Sequence, residues 1–141
     1  MRLLILSRRE AENFSIIKEN CFVTHAWISI AEPFCLAPNP VQNELCRGIL
    51  RIFCHDIDHP VSNSILFSEK QAQEVKTFVD SIRDEISLLC IHCEAGISRS
   101  AGLGAAISLW LNGHDSGIGT DPHFFPNKHI QTLALRVFQG S

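Results

Sequence analysis

Residues 87–92, SLLCIH, carry no charge and do not alternate between apolar and polar. A strand of that kind has no solvent face and belongs inside a parallel sheet covered on both sides. After a six-residue turn, nearly every residue from Arg99 to Leu111 is apolar or small, with Leu103, Ile107, Leu109 and Trp110 among them. That composition predicts a helix lying in the core, and Gly113 is placed to stop it. A buried strand feeding a buried helix through so short a turn restricts the chain to α/β architectures.

The remaining segments fit that class. Residues 3–6 read as a buried strand, and Ser7 with Glu10 is a capping box that opens a helix over roughly residues 8–18. Residues 26–30, AWISI, and 49–54, ILRIFC, read as two more strands, separated by the Pro- and Asn-containing loop EPFCLAPNPVQN. Ser68 and Gln71 form a second capping box, and Val75, Phe78, Val79, Ile82 and Ile86 then recur at helical spacing, predicting an amphipathic helix that ends near Asp84. Ile130, Leu133, Ala134 and Val137 mark a last amphipathic helix that Asn127 can cap. No repeat, low-complexity tract or linker interrupts the order. The expectation is one α/β domain over residues 1–141 with a central, mostly parallel sheet of about four to five strands flanked by helices.

A chain of 141 residues can bury a core without disulfides or metals. Its net charge of -3 and 19% charged residues give no global basic surface for nucleic acid or an anionic membrane, so attraction for an anion has to be local. The apolar run at residues 3–6 is too short for a signal-peptide core or a membrane span. A cytoplasmic monomer is expected, with free thiols at Cys21, Cys35, Cys46, Cys54, Cys90 and Cys93.

The turn between the buried strand and the buried helix sits in IHCEAGISRSAG, residues 91–102. A strand that ends at Cys93 and becomes a helix at Arg99 gathers backbone N–H groups around one point at the positive end of a helix dipole, and that arrangement binds a tetrahedral anion. Gly96 lets the backbone curl, and the Arg99 guanidinium can fork two donors onto the anion. Cys93 lies at the floor, where dipole, amides and guanidinium favour thiolate over thiol. His92, Glu94, Ala95, Gly96, Ile97, Ser98 and Arg99 are therefore the candidate substrate-binding residues.

The string HCEAGISRS is similar to the H-C-x-x-G-x-x-R-[S/T] signature of the cysteine-dependent protein tyrosine phosphatases, and its G-I-S-R-S ending resembles the dual-specificity branch. The resemblance is strongest over about residues 50–112. It implies a two-step hydrolysis of phosphate monoesters that needs no metal or cofactor. Cys93 attacks phosphorus and becomes a phosphocysteine, the backbone from Glu94 to Arg99 and the Arg99 side chain hold the phosphoryl oxygens, and water then releases phosphate. Ser100 stabilises the departing thiolate, and His92 orients the loop by hydrogen bonding rather than exchanging protons. The resemblance also implies an aspartic acid on a loop some thirty or more residues before the cysteine, to protonate the leaving oxygen. Asp56 and Asp58, in CHDIDHP, are the acids at about that distance, and Asp56, directly after the strand end, is the better anchored. Partners would be a phosphorylated protein, phosphotyrosine first, or a small phosphoester.

FFPN before the last helix resembles the proline-asparagine that precedes the final helix of dual-specificity phosphatases, and Asn127 is expected to tie that helix near the active-site loop. Two departures stand out. No tryptophan-proline-aspartate loop is present, and GHDSGIGTDPHF replaces a helix that the family usually places before the proline-asparagine.

Other readings compete for the same residues. A non-catalytic phosphate-binding module would keep the cradle without turnover, and rhodanese-like sulfur transfer or arsenate reduction also uses C-x5-R, although Gly96 and the SRS ending fit phosphoester hydrolysis better. Cys90 and Cys93 form C-x-x-C, but Cys90 falls inside an apolar strand, which makes it core rather than half of a redox pair. Cys54, His55, Asp56, Asp58 and His59 are types that ligate zinc, yet alternate residues of an extended loop point apart, and no metal site is expected. Cys54 either packs or approaches Cys93 closely enough for a protective disulfide. His25, His114, His123 and His129 read as surface residues, Trp27 and Trp110 as core, and Phe124 and Phe125 as a pocket border or a loop anchor. Glu94, Ala95 and Ile97 leave the loop without a lysine, which favours a singly phosphorylated substrate over a polyphosphoinositide.

Overall fold

The computed structural model describes residues 1–13 and 22–140. Strands β1 (Arg2–Ser7), β2 (His25–Ala31), β3 (Cys46–Phe53) and β4 (Leu88–Cys93) form one sheet in the order β1-β4-β2-β3. Every pairing is parallel, with Ser7 opposite Cys93 and Ser29 opposite His92. The α-helices among the described residues are α1 (Arg8–Ala11), α2 (Glu69–Ile82), α3 (Arg99–Asn112) and α4 (Lys128–Phe138).

All residues of β2 and β4 are buried, as uncharged central strands of a parallel sheet should be. Strand alternation then sorts their side chains between two layers. Ala26, Ile28, Ile30, Leu89, Ile91 and Cys93 belong to the core shared with Val75, Val79, Leu103, Ile107 and Ile130 of α2, α3 and α4. Trp27, Leu88 and Cys90 belong to a second cluster with Leu6 and Ala11. Each fully buried Ile or Leu contributes about 1.5–3 kcal/mol relative to exposure, so the two central strands are firmly held. Cys93 is the last residue of one of them.

Both capping boxes form. Ser7 Oγ accepts the Glu10 N–H at 3.1 Å while Glu10 accepts the Ser7 N–H at 3.0 Å. Ser68 and Gln71 do the same, and Gln71 Nε2 also donates to the Phe53 carbonyl at 3.0 Å, fixing the start of α2 to the end of β3. Because the four strands run the same way, the loops that leave Ser7, Ala31, Phe53 and Cys93 emerge along one edge of the sheet, the edge at which open parallel sheets bind ligands.

Several boundaries differ from expectation. β3 begins at Cys46 rather than Ile49, and α2 ends at Ile82, so that Ile86 joins the core from the turn that follows. The predicted helix over residues 8–18 is seen as α1 to Ala11, and its residues 14–18, like Cys21, lie outside the described residues. His25 is not a surface residue: it is the first residue of β2 and fully buried, with Nδ1 donating to the Val23 carbonyl at 2.8 Å. A central parallel strand covered on both faces buries its first residue along with the rest. Trp110 is half-buried, tilted against Phe138 at 4.9 Å. The stretch GHDSGIGTDPHF, read from the sequence as standing where the family usually has a helix, forms a short 3-10 turn, Ile118–Thr120, shaped by Asp115, whose carboxylate accepts the Gly117 and Gly119 N–H groups. No helix among the described residues is long and apolar enough to cross a membrane.

Candidate active site

Cys93 closes β4 with 2% of its surface exposed, and its Sγ lies 3.1 Å from Ser100 Oγ. The chain then runs through Glu94, Ala95, Gly96, Ile97 and Ser98 into α3. Among the described residues, the N–H groups of Ala95, Gly96, Ile97 and Ser98 donate to no protein acceptor. Ser98 occupies the N-cap position of α3, yet its hydroxyl makes no bond to that helix. It is turned outward, donating to Asp56 Oδ1 at 2.8 Å. The first turn of a 14-residue helix is thus left uncapped above a buried cysteine, which is what an incoming anion requires.

Gly96 shapes this turn. Its φ is +71°, and a Cβ there would lie 2.6 Å from both the Leu6 carbonyl carbon and the Ser7 nitrogen. The loop is laid directly on the end of β1, where the Arg8 N–H also donates to the Glu94 carbonyl at 3.1 Å. Gly96→Ala meets backbone rather than a movable side chain. We expect it to cost at least about 2 kcal/mol in urea unfolding, from left-handed strain plus overpacking. Calorimetric titration with tungstate should show anion affinity lost together with that stability.

Arg99 is 4% exposed and held from two sides. Nη1 donates to the Cys54 carbonyl at 2.8 Å, and Nη2 pairs with Glu32 Oε1 at 3.0 Å. Glu32, the residue after β2, was absent from the sequence-based candidates. Cys54 itself is fully buried, and that burial pushes its thiol up to about 12, leaving it protonated at neutral pH. Cys35, Cys46, Cys54, Cys90 and Cys93 are all free thiols.

The two candidate acids separate cleanly. Asp56 Oδ1 accepts from Ser98 Oγ and, at 3.0 Å, from Asn127 Nδ2, so its carboxylate is joined to the cradle and to the start of α4. Asp58, with 70% of its side chain exposed, pairs with its own neighbour His59 at 2.6 Å, and that hydrogen bond holds its carboxyl below the usual carboxylate range. An open cleft of about 400 Å³ lies beside them, lined by Asp56, Asp58, His59, Ser98, Pro126 and Lys128.

Asn127 has every polar group used. Its amide also donates to the Ile57 carbonyl at 3.0 Å, its Oδ1 caps α4 through the Ile130 N–H, and its backbone N–H donates to the Ser98 carbonyl at 3.0 Å. A Cβ on Gly102 would sit 2.6 Å from the Asn127 carbonyl oxygen, so the small residue at 102 is what lets this segment lie against α3. The expected tie between the last helix and the active-site loop is present. Phe125 contributes through its backbone, donating to the Ile97 carbonyl at 2.9 Å, while its ring is 77% exposed, and Phe124 packs against Ala101, Ala105 and Ile118.

His92 points to the opposite face of the sheet from Cys93. Nδ1 donates to the Cys93 carbonyl at 3.3 Å, which leaves Nε2 to accept from the Ser29 hydroxyl at 2.7 Å, with Trp27 edge-on to the ring. Burial lowers its pKa, so the imidazole is neutral at physiological pH and both its nitrogens are committed. It fixes the peptide that carries the cysteine.

No family model matches the chain, and no curated protein matches it in sequence. Solved structures do match in shape. A mouse dual specificity phosphatase complexed with zinc tungstate superposes with a TM-score of 0.65 at 17% identity, over 97% of this chain and 82% of that one. Human DUSP28 gives 0.63 at 16% identity, over 97% and 91%. PTPMT1 in complex with PI(5)P gives 0.62 at 13% identity, over 98% and 90%. The sheet, the turn from β4 into α3 and the segment leading into α4 therefore assemble into the fold of the dual-specificity phosphatases.

Proposed function

We propose that this protein is a cysteine-dependent phosphatase that hydrolyses phosphate monoesters through a phosphocysteine. The observation that carries the reading is the buried Cys93 preceding a turn of unused backbone N–H groups, with the Arg99 guanidinium at the start of the helix that follows fixed by the Cys54 carbonyl and Glu32. In the first step Cys93 Sγ forms a bond to phosphorus as the P–O bond to the leaving group breaks. The Arg99 donors and the N–H groups of the turn meet the charge on the phosphoryl oxygens. Asp56 gives its proton to the leaving oxygen. In the second step water attacks phosphorus and gives a proton to the Asp56 carboxylate, and the S–P bond breaks with Ser100 Oγ donating to the thiolate.

Substrate class follows from charge around the cradle. The loop has no lysine, its Glu94 is exposed, and Glu32 is paired with Arg99. A headgroup with several phosphates meets carboxylates there, whereas a single monoester meets only the cradle. Phosphotyrosine and other singly phosphorylated esters fit this best, in a cytoplasmic setting that keeps Cys93 reduced. The test is para-nitrophenyl phosphate hydrolysis by the reduced protein in EDTA. Turnover that survives chelation and is competitively blocked by tungstate is the expected result, and an inactive protein that still binds tungstate would make this a phosphate-binding module.

A further inference from the structure

Pro33 and Phe34 form the turn that follows Glu32, and nothing in the fold asks for a phenylalanine there. Its φ is +64°. That left-handed conformation suits glycine or asparagine and is unfavourable for a bulky residue. The ring gains no packing to offset it, being 95% exposed, and Leu36, two residues on, is 83% exposed. These are the two most exposed large apolar side chains among the described residues. The loop is nonetheless fixed on both sides of them. Before them, Glu32 lies 3.0 Å from Arg99 Nη2, and its carbonyl accepts from the Cys35 thiol at 2.9 Å. After them, the Pro38 carbonyl accepts from Arg51 Nη1, the Asn39 N–H donates to Glu12 Oε2 at 2.6 Å, and the Val41 N–H donates to the Ala11 carbonyl at 2.8 Å. An anchored loop thus displays two apolar side chains, one of them in a conformation that costs stability. Strain that persists without packing to offset it points to a role outside the fold.

Position narrows what can meet them. Phe34 is two residues from Glu32, at most about 7 Å along the chain. Glu32 touches the guanidinium that would receive phosphate. A substrate whose phosphate lies in the cradle therefore has its neighbouring groups within reach of this turn. Charge then decides which groups those are. Glu94 is exposed on the cradle, and Glu12 lies against the loop at Asn39. Acidic residues beside the phosphate, or the anionic headgroups of a bilayer, would meet these carboxylates. Apolar residues meet no such repulsion, and they would take Phe34 and Leu36 out of water.

We infer that Phe34 and Leu36 are specificity-determining residues, docking bulky apolar residues that flank the phosphotyrosine of a protein substrate. The inference rests on the phosphatase reading of the site and narrows it, from singly phosphorylated esters in general to phosphotyrosine in an apolar stretch of sequence. It also explains why a side chain so poorly suited to its backbone conformation stands in the turn.

The test compares two phosphotyrosine peptides, one with leucines and one with glycines on both sides of the phosphotyrosine, and para-nitrophenyl phosphate, which has no flanks. The proteins are the reduced full chain, Phe34→Asn and Phe34→Leu. The unmodified chain should show kcat/KM at least tenfold higher for the leucine-flanked peptide than for the glycine-flanked one. Phe34→Asn suits the left-handed turn and lacks the ring. It should raise Tm, leave para-nitrophenyl phosphate hydrolysis within about twofold, and lower kcat/KM at least fivefold for the leucine-flanked peptide but less than twofold for the other. Phe34→Leu should keep more than half of the activity on the leucine-flanked peptide. A lowered Tm in Phe34→Asn, or equal changes on the two peptides, would overturn the inference. So would dimerisation, or binding to phosphatidylcholine vesicles, that Phe34→Asn abolishes, since the turn would then belong to a second copy or to a bilayer. If the unmodified chain turns nothing over, the phosphatase reading fails on its own, and calorimetric affinities for the two peptides decide the role of Phe34. Tighter binding of the leucine-flanked peptide that Phe34→Asn removes would uphold docking, and equal affinities would overturn it.

Discussion

Cys93→Ser is expected to abolish para-nitrophenyl phosphate turnover, by at least about a thousandfold, while tungstate binding and thermal stability stay close to those of the unmodified chain. The separation of the two effects comes from where the sulfur sits. Cys93 is 2% exposed, and the hydrogen-bond partner of its Sγ among the described residues, Ser100 Oγ at 3.1 Å, can bond to a hydroxyl as well as to a thiol. The replacement therefore neither opens a void nor strands a polar group, and the cradle built by Gly96 and Arg99 is untouched. What it removes is the proposed nucleophile, since a serine hydroxyl with no base beside it stays protonated and attacks phosphorus poorly. The side chain nearest in type to a base, His92, has both nitrogens committed to the Cys93 carbonyl and Ser29. Stopped-flow mixing should show a burst of nitrophenolate only in the unmodified chain. Retained turnover in Cys93→Ser would locate the chemistry elsewhere.

The strand-turn-helix unit around Cys93 is legible in the sequence because each of its parts has a local signature. An uncharged run is a central strand, a glycine between Cys93 and Arg99 is a turn that a Cβ would block, and a run of small and apolar residues is a buried helix. The parallel sheet follows from the same features, since strands alternating with helices leave few other arrangements. What is not local is not legible. Glu32 stands alone in a proline-rich loop, and it reaches Arg99 only because the strand order β1-β4-β2-β3 puts the end of β2 beside the end of β4. His25 was misread for a related reason: nothing in one histidine at the head of a strand tells that the strand is covered on both faces. Asp56 and Asp58 could not be told apart by spacing alone, being two residues apart on one loop. Their partners distinguish them, and those partners, Ser98 and Asn127, are distant in the chain.

That distinction predicts the second large effect. Asp56→Asn should slow phenyl phosphate hydrolysis by about a hundredfold or more, the range for loss of a positioned general acid, and para-nitrophenyl phosphate hydrolysis by distinctly less. Nitrophenolate is a stable anion that departs without a proton, whereas phenolate, whose conjugate acid has a pKa near 10 like that of tyrosine, needs one. Asp58→Asn should leave both rates within about twofold, since Asp58 faces solvent and His59 and makes no bond to the cradle. With Asp56 as the proposed acid, its hydrogen bonds assign the proton to one oxygen. Oδ1 is occupied by Ser98 Oγ and Asn127 Nδ2, so among the described residues Oδ2 is the one with no hydrogen bond and the one left to carry the proton. Asn at position 56 keeps an oxygen for those two donors but replaces the proton-carrying oxygen with an amide that cannot give a proton up. The substitution thereby preserves the tether and removes the acid, which is why the loss should scale with the leaving group. A leaving-group-dependent loss in Asp58→Asn instead would mean that the Ser98 and Asn127 bonds to Asp56 serve only to close the loop onto α4.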